Sequence, residues 1–431
     1  MSTLTQKITA LRTDRQMKNS LYLLVGSLAT AGFGFIFWII AARLFDPPTV
    51  GIATVLVSLS SLISLLSLAG FDSSFVRFLP RSQHKNAYIN SGMVVTTALS
   101  IILSCVFLVI SYFTTPDLRG IISSPLIIVL FTTLTVASSL NLLTNSVFIA
   151  HREAGYIVVI NTVFNIVKVI LPFAFIPYGS VGVFVAAGAA QAVGLVLSLY
   201  YMHVRYNYRP RLAIDSRALR QTFSYTFGVY VGSVLNLLPP TLLPLIITQQ
   251  LGAASTAYYY MAFNIVTIIF TVAYSAMQSA FAESAHDETK LRQNVLQGIK
   301  SSLFFTIPAI AGCLMLGSHV LGVFGHAYAQ AATPLLWIMG LSAVAVTLYS
   351  ALGAVLKIAH DTTSFIATNV AYVLVIVVGS YLLMPQYGLL GIGYAWFAGN
   401  IIAIIVGGLC HVRYRRTMTI TAADTAHPPA Q

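Results

Sequence analysis

Lys168 stands well inside an apolar run near residues 157–176, where an uncompensated charge costs roughly 3 kcal/mol or more in a bilayer. An ammonium kept at that cost is a candidate for holding an anionic headgroup such as a pyrophosphate. Asn161 and Asn165 precede it at i−7 and i−3, so a helix carries all three on one face. A hydrated cavity within a membrane requires such a polar stripe. Two readings of Lys168 stay open: a contact for an anionic headgroup, or a structural residue that binds carbonyls and hydroxyls or reaches out to the interface. Other amides within apolar runs are Asn141, Asn145, Gln191, Asn236, Asn264, Gln278, Asn369 and Asn400. Each suits an interhelical hydrogen bond or a ligand, and Asn145 and Asn369 join Lys168, Asn161 and Asn165 as candidate substrate contacts.

What is missing from the apolar runs narrows the chemistry. All 11 acidic residues (Asp14, Asp46, Asp72, Asp117, Glu153, Asp215, Glu283, Asp287, Glu288, Asp361 and Asp424) fall in loops, tails or run ends. Exchange of a drug against a proton or cation ordinarily needs a carboxylate buried in the membrane, so this distribution argues against it. No Gly-rich phosphate loop ends in Lys-Ser/Thr, and no Ser/His/Asp set or metal motif has credible spacing. The expectation is a chain that is not an enzyme and takes no cofactor. Cys105, Cys313 and Cys410 each sit in an apolar run and read as small apolar fillers. Tyr258, Tyr259 and Tyr260 could stack on sugar rings, but at a run end they read as an interfacial aromatic belt.

The elements that position these residues are helices in lipid. Of 431 residues 57% are hydrophobic and 8% charged, against about 25% charged in a soluble domain. Twelve runs are long enough to cross a bilayer: 21–42, 49–70, 90–112, 124–148, 157–176 and 181–203, then 222–248, 256–281, 301–320, 334–356, 364–383 and 391–410. The first is too long for a signal-peptide core and reads as a retained helix. Prolines within them (Pro172, Pro239, Pro240, Pro244, Pro308) predict kinks, above all in the seventh. Of the 23 Lys and Arg residues, all but Arg43, Arg119 and Lys168 fall on one side if the N-terminus is cytoplasmic. That asymmetry accounts for the net charge of +12 without nucleic acid, and puts both termini in the cytoplasm of a cell-membrane protein.

An internal repeat divides the chain. Ile149-Ala150-His151, Tyr178-Gly179 with Gly182, and His203-Val204-Arg205-Tyr206 recur in order as Ile358-Ala359-His360, Tyr387-Gly388 with Gly391, and His411-Val412-Arg413-Tyr414, at a nearly constant offset. Six spans per repeat keep both halves in one orientation, with a pseudo-two-fold axis along the membrane normal. The expected organisation is a first lobe over 1–204, a cytoplasmic linker over 205–221, a second lobe over 222–412 and a disordered tail over 413–431. Within Arg205–Arg220 the arginines outnumber Asp215; the stretch from Arg211 reads either as a basic helix on anionic headgroups or as an ordinary solvated loop.

The segment Ala42-Arg43-Leu44-Phe45, the turn from Asp46 to Gly51, and Gly70-Phe71-Asp72-Ser73-Ser74-Phe75-Val76-Arg77-Phe78-Leu79-Pro80 resemble the opening of Wzx-type polysaccharide flippases of the multidrug/oligosaccharidyl-lipid/polysaccharide (MOP) exporter superfamily. Leu251-Gly252 with Tyr258–Ala262, and Tyr387-Gly388-Leu389-Leu390-Gly391-Ile392-Gly393-Tyr394-Ala395, resemble its later segments. The resemblance implies an all-α polytopic fold of about twelve transmembrane helices in two six-helix lobes, similar to MATE transporters and lipid II flippases. It implies alternating-access transport of polyprenyl-(pyro)phosphate-linked oligosaccharide for O-antigen, capsule or exopolysaccharide assembly. The implied partners are that substrate, membrane lipids, a glycan polymerase and other biosynthesis proteins, around a monomer. Arg43 and Arg77 match family arginines at helix ends and complete the candidate substrate contacts, though Arg77 reads more readily as a charge of the asymmetry with Asp72 as partner than as a guide for the headgroup at the cytoplasmic entrance. Where lipid II flippases carry cavity arginines on the first helix, this chain has Ala31 and Phe37. A MATE-like drug or metabolite exporter and a non-transporting membrane scaffold are the alternatives.

Overall fold

The computed structural model describes residues 15–286, 291–359 and 361–426, with side chains described at 26, 29–215, 234–278, 293–359 and 361–414. Lys7, Arg12, Asp14, Asp287, Glu288, Lys290 and His360 lie outside the described residues. The fold is all-α. The first six spans are Arg15–Leu44, Pro47–Ser67, Lys85–Thr114, Pro125–Ala150, Ala154–Ala174 and Gly179–Tyr206. The next six are Ser216–Leu251, Ala253–His286, Leu291–Phe324, the pair His326–Leu341 and Ala343–Ile358, then Thr362–Tyr387 and Leu389–Ala426. Among the described residues eleven stretches are long and apolar enough to cross a membrane, and the first helix adds an apolar segment at Ala29–Leu44.

Most helices outrun the apolar runs that announce them. Apolarity reports the hydrocarbon thickness, whereas a helix continues for as long as its backbone bonds do. The seventh thus begins at Ser216 and carries Pro239, Pro240 and Pro244 inside one helix. The twelfth runs on to Ala426 through residues that the sequence reading gives to a disordered tail.

The third span shows why these helices pack in lipid. Its buried face is Thr96, Ser100, Ser104, Leu108 and Ser111, and its exposed face carries Ile101, Ile102, Val106, Val109, Ile110 and Phe113. Small hydroxyl residues let backbones approach closely, and apolar side chains are left for the acyl chains. Ser100 donates to Ser139 Oγ at 2.8 Å, Ser139 to Ser64 Oγ at 3.2 Å and Thr135 to Ser60 Oγ at 3.0 Å, which ties the second, third and fourth spans together.

The chain divides into two compact units, Met1–Val234 with Ile247–Ala257, and Leu235–Ile246 with Tyr258–Gln431. The repeat is visible in their turns. Gly179 has φ 54°, ψ −131° and Gly388 has φ 55°, ψ −137°, a conformation that is strained for any residue with a Cβ. Three residues on, a Cβ on Gly182 would stand 2.2 Å from the Phe175 carbonyl oxygen, and one on Gly391 would stand 2.8 Å from that of Leu383. Both glycines let a helix start against the end of its predecessor.

A second repeated device closes the fourth and tenth spans. Glu153 N–H donates to Phe148 C=O and Asp361 N–H to Leu356 C=O, both at 3.0 Å. In each repeat the acid then reaches the sixth helix, at Arg205 and Tyr206 in the first and at His411 in the second. Glu153 accepts from the Tyr206 hydroxyl at 2.7 Å and pairs with Arg205 at 3.5 Å, while Asp361 meets His411 Nδ1 at 2.9 Å. Burial raises the Asp361 pKa, but hydrogen bonds from Ser364 and His411 outweigh it and hold the carboxyl below its ordinary value.

Candidate functional site

In the first unit the fifth span lies against the first. Lys168 is half-buried, with its Nζ 4.6 Å from the centroid of the Phe37 ring, which is itself fully buried. Asn165 is buried and donates to Thr30 Oγ1 at 3.3 Å. The helical spacing thus turns Asn165 and Lys168 toward the same neighbour, the first helix. Asn161, one turn before Asn165, has a buried Oδ1 without a hydrogen-bond partner among the described residues, as does Asn145 on the fourth span. Such acceptors are paired with water or a ligand far more often than they are left empty. Asn141 is otherwise engaged, donating to Gln191 Oε1 at 2.6 Å and accepting from Ser198.

The second unit builds its polar centre from uncharged groups. Asn369, 1% exposed on the eleventh span, accepts at Oδ1 from Asn236 Nδ2 at 2.7 Å and from the Tyr349 hydroxyl at 2.8 Å. The same hydroxyl lies 3.1 Å from Asn236 Oδ1. Three helices, the seventh, tenth and eleventh, meet in these bonds. Tyr349 is held flat by stacking on Tyr372, centroids 4.9 Å apart, and Tyr372 meets Trp396 edge-on.

This network is the floor of a cavity of about 420 Å³ within the second unit, a size common among small-ligand sites. Tyr274 and Gln278 come from the eighth span and Ser350 from the tenth, and among the described residues the lining contains no carboxylate. Its one charged residue among those described is Lys357, exposed, with Nζ 5.2 Å from the Phe365 ring centroid. The arrangement offers amide and hydroxyl donors and acceptors, aromatic faces and one cation. It suits a hydroxyl-rich ligand carrying negative charge.

Of the residues lining this cavity, Asn369 is a candidate contact in the sequence, whereas Tyr349, Tyr274 and Lys357 are not singled out there, Lys357 reading as a loop charge. A signal was available: Tyr349, Gly353 and Lys357 recur at i, i+4 and i+8, one face of a helix with a gap in its middle. Arg43 and Arg77 are both exposed, Arg77 on a short helix, Phe71–Phe78, over the ring of Phe78 at 5.4 Å. Within the first unit, no contact of the described residues joins either to Lys168. Tyr259 corrects the aromatic-belt reading: it is fully buried and stacks on Phe263. Among the described residues no three His, Cys, Asp or Glu side chains gather as a metal site would require.

Solved structures place the fold among membrane transporters. A multidrug resistance MATE family transporter of the MOP superfamily in its inward-facing conformation matches with a TM-score of 0.63 at 17% identity, covering 95% of this chain and 96% of that one. The outward-facing conformation of a MATE family transporter of the same superfamily matches at 0.62 and 15% identity, covering 97% and 98%. Lipid II flippase MurJ, in an inward closed conformation, matches at 0.67 and 15% identity, covering 90% and 87%. The chain is therefore a multi-pass membrane protein with the twelve-helix fold of the MOP superfamily. Residues 16–282 match the family described as polysaccharide biosynthesis protein, and the chain belongs to that family. The resemblance to Wzx-type flippases read from the sequence agrees with both findings. A comparison with curated protein sequences gives no match.

Proposed function

We propose that this protein is a flippase that carries polyprenyl-(pyro)phosphate-linked oligosaccharide across the cytoplasmic membrane by alternating access. The glycan would feed O-antigen, capsule or exopolysaccharide assembly, with a polymerase and other biosynthesis proteins acting on it after transfer. Both termini are cytoplasmic in this reading, and the protein works as a monomer. The observation that carries it is the cavity of the second unit, whose described lining holds no carboxylate and includes Asn236, Asn369, Tyr349 and Lys357. Amides and phenols match the paired donors and acceptors of sugar hydroxyls, and a site for a drug cation would want the opposite charge.

Lys168 is the second support. A cation over one ring gains about 0.5–2 kcal/mol, which offsets only part of the roughly 3 kcal/mol cost of its depth. An anionic phosphate that visits the fifth span would supply the rest, with Asn161 and Asn145 as neighbouring polar contacts. Lipid II flippases carry cavity arginines on the first helix, where this chain has Ala31 and Phe37; here the Phe37 ring meets a cation lent by another helix. Asn165 is a structural contributor in this scheme, since its amide is spent on Thr30.

The test is a deletion strain. Loss of surface glycan, with lipid-linked intermediate accumulating on the cytoplasmic side, is expected, and rescue by the wild-type gene but not by Asn369→Ala at equal abundance. Unchanged surface glycan with no accumulated intermediate would sink the reading.

A further inference from the structure

The chain between the sixth and seventh spans is tied down rather than free. Asn207, with φ 50°, ends the sixth helix in the left-handed region, and the residues after it are fastened to the start of the third helix. Asn90, 3% exposed, is the main pin. Its Oδ1 accepts from the Tyr208 hydroxyl at 2.6 Å and the Arg211 N–H at 3.2 Å, and its Nδ2 donates to the Arg209 carbonyl at 3.3 Å. Asn86 Nδ2 donates to the Asn207 carbonyl at 3.4 Å, and the Asp215 N–H donates to Ser91 Oγ at 2.7 Å. Burial pushes the Tyr208 phenol up to about 12, so it remains a donor across the physiological range.

This strap and the helix start border an open pocket of about 570 Å³ whose lining includes Lys85, Arg209 and Arg211, all exposed, with His84 and Asn86 beside them and no carboxylate among the described residues. The third helix begins here at Lys85 with no side-chain cap and no acid in its first turn. Its first N–H groups and the positive end of its dipole therefore add to the three side-chain cations. An ordinary positive-inside loop would leave its arginines on mobile chain. Here the backbone that bears Arg209 and Arg211 is pinned on both sides of each, so much of the ordering cost of binding is met in advance.

We propose that this pocket is a binding site for a phosphate group, and that the group belongs to an anionic membrane lipid. Guanidinium groups match phosphate oxygens bidentately, and the end of a span lies at headgroup depth. The site is separate from the cavity of the second unit, and the inference does not depend on the transported substrate.

The test uses the full chain purified in detergent and in lipid nanodiscs, titrated with phosphatidylglycerol, phosphatidylcholine or inorganic pyrophosphate. Binding is read by native mass spectrometry and melting temperature. Phosphatidylglycerol should bind and stabilise where phosphatidylcholine does not, and Arg209→Gln with Arg211→Gln should weaken it by about tenfold or more. Arg209→Lys with Arg211→Lys keeps the charge and should recover part of the affinity. Pyrophosphate binding with the same arginine dependence, and no lipid preference, would keep the phosphate site but assign it to a soluble ligand. If the Gln variants remain folded and bind both ligands as the wild type does, the proposal is overturned.

Discussion

In the first unit the fifth span presents Lys168 to an aromatic ring of the first span. In the second, the helix at the equivalent place, Thr362–Tyr387, has no lysine or arginine and presents Asn369 to Asn236 of the seventh. Both pairs join the first and fifth helices of a repeat, since Asn165 also bonds Thr30. Their chemistry has diverged, a charge in one and an amide network in the other. The turns have not: Gly179 and Gly388 share a backbone conformation to within a few degrees. Duplication keeps what geometry dictates and releases what only chemistry uses.

The largest effect should come from breaking the shared part. Gly182→Val and Gly391→Val each drive a side chain into a preceding carbonyl, and both should cost about 3 kcal/mol or more. Thermal melts in detergent would check it; if only one is destabilised, the two turns are not equivalent in packing. Next come the parts that differ. Lys168→Gln should cut glycan export at least about tenfold at normal abundance, and Lys168→Arg should retain more activity than Lys168→Gln. Export by Lys168→Gln at the wild-type rate would make the lysine structural. Tyr349→Phe removes a shared donor from two amide oxygens and should destabilise by about 1–3 kcal/mol; a melt unchanged from wild type would mean that water replaces the phenol.

The smallest effect is electrostatic. Asp361 has a folded pKa below its ordinary value, so its contribution is present above the ordinary carboxylate pKa and lost as pH falls through the folded one. Asp361→Asn keeps an acceptor for the Ser364 N–H but loses the charge. The variant should melt slightly below wild type at neutral pH, with the difference closing below about pH 4. A gap that persists in acid would assign the effect to shape rather than charge.

The parts of this molecule that were legible in advance are those that one residue type announces alone. Long apolar runs gave the spans, and Tyr-Gly-x-x-Gly at a near-constant offset gave the turns. A lysine in an apolar run drew attention to itself for the same reason. The cavity of the second unit was not legible, because Tyr349, Asn236 and Asn369 come from three helices and each alone is an ordinary membrane residue. Lys357 was hidden by the charge asymmetry that makes any cation at a helix end unsurprising. The strap was hidden too, since the Asn86, Asn90 and Ser91 side chains mostly hold backbone groups of residues 207–215, across more than a hundred positions of sequence.

The third span faces Ser100, Ser104 and Ser111 inward and Ile101, Ile102 and Ile110 outward. Pulling such a helix out of its bundle while it stays in the bilayer transfers hardly any oily surface to water. Calorimetry of that dissociation should therefore record a heat-capacity increment far smaller per residue than a soluble domain of equal length gives.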